Sequence, residues 1–178
     1  TSCGRDLVEI IKTSLDGVKL IRPTVAFEDH RGVIFEHFNS ANYGEAGLGW
    51  FVQDTHSASY RGVIRGLHGD DCTTKLVSCL YGRIYAVAVN NLKNHPQFLK
   101  WEAFTLTGDN HLQLLVPIGF GNGYQVLSDM AIYCYKLSVR YGGQDKQFSI
   151  NPLDSKLSIP WPINNPILSK RDMEAPFL

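Results

Sequence analysis

The stretch Lys75-Leu76-Val77-Ser78-Cys79-Leu80-Tyr81-Gly82-Arg83-Ile84-Tyr85-Ala86-Val87-Ala88-Val89-Asn90-Asn91 decides the fold. Two short apolar runs are divided by Tyr81-Gly82, and the second stops at Asn90-Asn91. Runs of this length between turn residues read as strands. Outward from this pair the pattern repeats. Phe98 to Leu106 ends at Gly108-Asp109-Asn110, and His111 to Val116 ends at Pro117 and Gly119. Ala131 to Val139 ends before Gly142-Gly143, and Val33-Ile34-Phe35 precedes Asn39 and Ser40. Closely spaced short strands with glycine, proline and asparagine turns predict an all-β sandwich or barrel. Sustained helical periodicity is scarce. Leu7, Ile10, Ile11 and Leu15 are spaced as one helix face, yet Val8 to Thr13 also alternates as a strand, and both readings stand. The proline-rich tail from Pro152 to Leu178 is expected to wrap the barrel surface with one short helix at most, because a core strand does not tolerate so many missing N–H donors.

The chain has 178 residues, enough for one compact domain spanning 1–178. It is 44% hydrophobic and 19% charged, the balance of an ordinary globular protein. Its 17 basic and 17 acidic side chains cancel, which argues against a nucleic-acid partner but leaves room for a local phosphate pocket. Cys3, Cys72, Cys79 and Cys134 show no metal-ligand spacing and read as free thiols of a reducing cytoplasm. No apolar run approaches the roughly 18 residues of a membrane helix. Thr1 to Asp6 has no long apolar stretch behind a basic start, so no signal peptide is expected there.

Alternation places Lys75, Val77 and Cys79 on one strand face, and Tyr133, Tyr135 and Leu137 on one face of another. A lysine on an otherwise apolar face is a conflict, since a lone buried charge is costly. Such conflicts concentrate at functional sites. The plain alternative is a solvated lysine at a strand mouth.

Three segments together resemble a known family. They are Phe27-Glu28-Asp29-His30-Arg31-Gly32 with Glu36 and Phe38; Phe51-Val52-Gln53-Asp54-Thr55 followed by Arg61-Gly62-Val63-Ile64-Arg65-Gly66-Leu67-His68; and Tyr135-Lys136 followed by Asn151-Pro152-Leu153-Asp154 and Trp161-Pro162. In order and spacing they resemble the dTDP-4-dehydrorhamnose 3,5-epimerase family over nearly the whole chain. The resemblance implies a cupin-type jelly-roll barrel, a homodimer that shares strands, a nucleoside-diphosphate sugar in the barrel mouth, and proton transfer without a metal or other cofactor. It implies His68 as the base at C5 and C3 of a 4-keto sugar, Tyr135 as the acid on the opposite face, Lys75 as the group facing the enolate oxygen, and Asp154 as the carboxylate behind the histidine. It also implies Arg65 on the diphosphate, with Phe27, Arg31, Glu36, Gln53, Thr55, Ser57, Asn122 and Tyr141 as further binding residues. The chemistry asks for these types independently. A proton α to a ketone needs a base near neutral pKa, which histidine supplies, and a cation at the developing oxyanion, which lysine supplies. Inversion needs a second donor on the other face. Arg65 and His68 are three apart, so on a regular strand one of them must lie at its end.

The chain departs from the family pattern in several places. Gly69-Asp70-Asp71 stands where tyrosine–glutamine usually follows the histidine. Gly119-Phe120-Gly121-Asn122-Gly123-Tyr124 stands for the family's Gly-Phe-Ala-His-Gly-Phe turn, so Asn122 replaces a second active-site histidine. Ile34 occupies the position where an aromatic often stacks on the nucleotide, and Thr55 replaces an asparagine. These changes leave dTDP, CDP and GDP open as the nucleotide, hexose or heptose as the sugar, and C3, C5 or both as the inverted centre. A 3,4-ketoisomerase and a non-catalytic sugar-nucleotide-binding cupin are the alternatives. Metal binding, common among cupins, needs several correctly spaced ligands, and His68 with Asn122 does not supply them. His30, His37, His56, His95 and His111 show no ligand spacing and are expected to be structural or exposed.

Overall fold

The computed structural model describes residues 8–178. Leu7 and Cys3, and the Thr1 to Asp6 segment, lie outside them. The chain runs β1 (Glu9–Lys12), β2 (Lys19–Arg22), β3 (Thr24–Asp29), β4 (Gly32–Glu36), α1 (Ser40–Glu45), β5 (Gln53–Tyr60), β6 (Ile64–Gly69), β7 (Lys75–Tyr81) and β8 (Arg83–Asn90). It continues with β9 (Trp101–Thr107), β10 (Gln113–Val116), β11 (Phe120–Val126), β12 (Met130–Leu137), β13 (Phe148–Ser149) and α2 (Lys170–Met173). The ambiguous N-terminal segment is therefore a strand, held in register by the antiparallel pairing of Ile10 with Ile21.

A six-stranded sheet, β1-β2-β10-β7-β12-β5, faces a five-stranded sheet, β13-β6-β11-β8-β9. This is the expected all-β, cupin-type jelly roll. The two sheets stack as an open sandwich and are not joined into a hydrogen-bonded cylinder. The core between them packs Val77, Cys79, Ile84, Ala86, Leu106, Leu114, Val116 and Val126. Outside the larger sheet, Tyr43 and Leu48 of the α1 region cover Ile21, Leu76 and Leu115. Outside the smaller sheet, Ile150, Leu157 and Ile159 of the tail cover Leu67, Val87 and Val89. The tail carries the single short helix α2 and adds a bridge from Ile167 to Val63. The β3–β4 hairpin forms a separate two-stranded sheet. Cys79 and Cys134 are buried free thiols, whereas Cys72 is exposed. No helix among the described residues is long and apolar enough to cross a membrane.

Two local features aim the side chains of the site. Strand β6 pairs with β11 through His68↔Asn122 and Arg65↔Tyr124, with a register shift between Asn122 and Tyr124. The irregularity resets the in–out alternation, so Arg65 and His68 both face the cavity described below from within one strand. The expectation that one of them sits at a strand end is corrected by this bulge. It needs glycine: Gly66 has φ +117°, and a Cβ there would lie 2.6 Å from the Asn122 carbonyl oxygen. Gly69, just after the histidine, is equally confined. A Cβ would meet the Phe120 carbonyl oxygen at 2.2 Å and the Phe148 ring at 2.5 Å. An aromatic residue has no room at that position.

Candidate active site

A cavity of about 650 Å³ opens between the two sheets. Strand β6 contributes Arg65 and His68, β7 contributes Lys75, β11 contributes Asn122 and Tyr124, and β12 contributes Tyr133, Tyr135 and Leu137. Ser57, Tyr141, Arg171 and Asp172 lie on the same walls.

The histidine is held by the tail. His68 Nε2 lies 2.6 Å from Asp172 Oδ1. A carboxylate at Nε2 fixes the tautomer with its proton there and leaves Nδ1 as the basic nitrogen. Asp172 is buried, and burial alone would raise its pKa. The hydrogen bond and field of His68, with donors from Ser169 and the Gly66 backbone, hold it below the ordinary carboxylate value. Asp172 belongs to α2, which Ser169 caps by accepting the Asp172 N–H.

Asp154 does not fill the role expected of it. Its Oδ2 accepts from the Leu178 N–H at 2.6 Å and its Oδ1 from the Lys156 N–H at 2.7 Å. It is buried, ties down the tail, and is not among the residues that line the cavity. The carboxylate behind the histidine comes from 18 residues further on, in a segment with no periodicity to mark it.

Lys75 is 8% exposed, so it is not a solvated residue at a strand mouth. Its ammonium donates to the His68 carbonyl at 2.9 Å. Burial draws its pKa down to about 8, opposed by Asp70 and reinforced by Arg171.

Three tyrosines stack along the back wall. The rings of Tyr124 and Tyr133 lie 4.1 Å apart and those of Tyr133 and Tyr135 5.6 Å. Their hydroxyls have different duties. Tyr133 donates to Asn122 Oδ1 at 2.6 Å, and Asn122 Nδ2 donates to the Val87 carbonyl at 3.0 Å. Tyr124 and Ser57 share a hydrogen bond of 2.9 Å. Tyr135 interacts with Thr55, and its pKa is raised by burial and by Tyr141 and Tyr124, against the lowering effects of Thr55 and Arg65. A phenol so placed keeps its proton at neutral pH and is available as an acid.

Arg65 Nε donates to Ser59 Oγ at 2.9 Å, which anchors the guanidinium at the cavity wall. Gln53 and Thr55 act one layer back: Gln53 Oε1 accepts from the Tyr141 N–H at 2.8 Å, and Gln53 Nε2 donates to Thr55 Oγ1 at 3.2 Å. Phe27, Arg31 and Glu36 do not line the cavity of their own chain. They sit on the β3–β4 hairpin, where Arg31 pairs with Asp29 and Glu36 accepts from Asn42 Nδ2. Among the described residues no group of three or more His, Cys, Asp or Glu side chains is placed to hold a metal ion.

A base with its carboxylate, a buried ammonium and a protonated phenol around one cavity match the parts that α-proton transfer next to a ketone requires. The family model described as dTDP-4-dehydrorhamnose 3,5-epimerase matches residues 12–178. The chain belongs to the dTDP-4-dehydrorhamnose 3,5-epimerase family. A dTDP-4-dehydrorhamnose 3,5-epimerase of Shigella flexneri is 40% identical over 172 residues, covering 93% of this chain and 93% of that one. The structure of a 3,5-epimerase from Bacillus anthracis with TDP and PPi bound superposes with a TM-score of 0.91, at 38% identity over 96% of this chain and 99% of that one. A 3,5-epimerase from Legionella pneumophila in complex with dTDP-4-keto-L-rhamnose gives a TM-score of 0.89, at 39% identity over 96% and 92% of the two chains. Asp172 is the residue that linear reading missed. A serine followed three residues later by an aspartate, Ser169 to Asp172, is the one local signal that a short helix starts there.

Proposed function

We propose that this chain is an isomerase that inverts C3 and C5 of a dTDP-linked 4-keto-6-deoxy sugar, acting as a single domain without a cofactor. The observation that carries the reading is the convergence of His68–Asp172, Lys75 and Tyr135 on one cavity. His68 Nδ1 removes the proton α to the ketone, and the electron pair moves onto the C4 oxygen as an enolate. The Lys75 ammonium faces that oxygen and stabilises its charge. Tyr135 then delivers a proton to the opposite face of the carbon, and solvent or His68 restores the phenol. Asp172 supports the imidazolium between the two transfers. Arg65 holds the diphosphate, with Ser57, Asn122 and Tyr141 on the wall around the sugar nucleotide. The TDP complex of the Bacillus relative and the dTDP-4-keto-L-rhamnose complex of the Legionella relative support thymine as the base. The test is incubation with dTDP-, CDP- and GDP-linked 4-keto-6-deoxy sugars in deuterated water, read by NMR. Deuterium at C3 and C5 of an inverted dTDP-sugar is the expected result. A ketone moved from C4 to C3 would replace this reading with a 3,4-ketoisomerase, and no exchange into any sugar would replace it with a binding cupin.

The working form is a homodimer. An isolated two-stranded ribbon is marginal in water, and the β3–β4 hairpin leaves Val25 48%, Phe27 50% and Ile34 60% exposed. Seated on a second copy, this hairpin would bury its apolar side chains and bring Phe27 and Arg31 to the partner's cavity, where nucleotide contacts are needed. Light scattering is expected to give a dimer mass at micromolar concentration, and Phe27→Asp with Ile34→Asp to shift it to monomer with weakened sugar-nucleotide binding. A stable monomer in the unaltered protein would count against the arrangement. The free thiols of Cys79 and Cys134 suit a reducing compartment, which supports the cytoplasm as its location.

A further inference from the structure

A buried ammonium needs a counter-charge. Among the described residues Lys75 forms no ion pair, and its hydrogen bond goes to a neutral carbonyl. The polar groups around it come from several elements, with Arg65 of β6 and Arg140 and Lys146 beyond β12 on the same cavity walls. On β6, His68 offers its carbonyl, and its imidazole is committed to Asp172 on α2. Arg171, also on α2, adds positive charge. Tyr135 on the neighbouring strand β12 stays a neutral phenol. The loop between β6 and β7 brings Asp70 and Asp71 to the same cavity.

Of these two carboxylates, Asp70 is the one that is fixed. Its Oδ1 accepts the backbone N–H of Cys72 at 3.1 Å and of Thr73 at 2.6 Å. Its carbonyl accepts the Gly119 N–H at 2.8 Å, which locks the loop to the start of β11. These donors hold the carboxyl below its ordinary pKa despite partial burial, so it is ionised at neutral pH. Gly69 allows this path, since the chain passes against Phe120 and Phe148 where a side chain would not fit.

We propose that Asp70 is the counter-charge that keeps Lys75 an ammonium in the cavity, a positioning residue that acts on the reaction through Lys75. The proposal rests on the reading of Lys75 as the group facing the C4 oxygen. Its consequence is a pH dependence. The folded-state pKa of Lys75, at about 8, is already below that of an ordinary lysine. The reaction therefore loses its cation as pH rises through about 8, and a nearby negative charge pushes that loss to higher pH.

Asparagine separates the two duties of Asp70. Its amide oxygen still accepts the Cys72 and Thr73 N–H groups, so the turn survives, while the charge is gone. Glutamate keeps the charge and disturbs the turn. The experiment follows the Lys75 ε-carbon by NMR in 13C-lysine-labelled protein, with the resonance assigned by its absence in Lys75→Met, and measures kcat/KM against pH on the dTDP-4-keto-6-deoxy sugar. In Asp70→Asn the Lys75 titration and the alkaline limb of kcat/KM are both expected to move down by about one unit, the low end of what an opposite charge nearby contributes. In Asp70→Glu both should stay near their original positions. An unmoved Lys75 titration in Asp70→Asn, or a shift in Asp70→Glu alone, overturns the proposal. A shifted titration in a protein that epimerises nothing would leave the Asp70–Lys75 coupling standing and refute the epimerase reading instead.

Discussion

Replacing His68 by alanine is expected to lower kcat/KM by about 10²–10⁴-fold, the usual range for loss of general-base help, and to abolish deuterium exchange into the substrate. Both losses follow because proton removal opens every turnover, and no other described side chain stands in the same place with a carboxylate behind it. Asp172→Asn should give a weaker form of the same defect. The imidazole remains, but it loses the acceptor that fixes its tautomer and the charge that supports its protonated form. Asp154→Ala supplies the contrast. It leaves the Leu178 and Lys156 amides without their acceptor, at about 1–3 kcal/mol, and should lower the melting temperature while kcat at low temperature stays close to that of the parent. Exchange retained in His68→Ala would move the base elsewhere, with Lys75 next in line.

Tyr135→Phe should separate exchange from inversion. His68 still lifts the proton, and the base or water returns it to the face it left. Deuterium then accumulates in the starting sugar, while inverted product falls by about 10²-fold or more. Neighbouring phenols do not substitute. Tyr133 is spent on Asn122, and Tyr124 is paired with Ser57. The measurement is deuterium followed separately in substrate and product. Full inversion by Tyr135→Phe would refute its role as the acid.

The sandwich was legible because its strands are local. Lys75 to Asn91 announces two strands and a turn without reference to anything distant, and the structure keeps both starts and adds one residue at the C-terminal end of each strand. Lys75 was legible as a conflict on an apolar face, and it lies in the cavity wall. The bulge that lets Arg65 and His68 share the cavity was hidden, because parity arguments assume an unbroken ladder. Asp172 was hidden for a different reason. The tail has no hydrogen-bonding period of its own, and its place is set by contacts with β6 that only the folded sheets create. The hairpin residues Phe27, Arg31 and Glu36 raise a third case: the motif marks the segment, but the folded chain places it away from the cavity, and the linear order does not carry that placement.

The pairing of His68 with Asp172 also ties catalysis to the order of synthesis. The two residues are 104 positions apart, so both sheets and their core are translated before the second half of the dyad exists. A nascent or truncated chain that has formed the sandwich holds a histidine without its partner and cannot support the protonated imidazole. The same holds when only the tail detaches, since such local opening spares the sheets. On the proposed mechanism, activity requires the segment that carries Asp172 to be docked, and loss of activity should precede loss of strand content as the protein is heated.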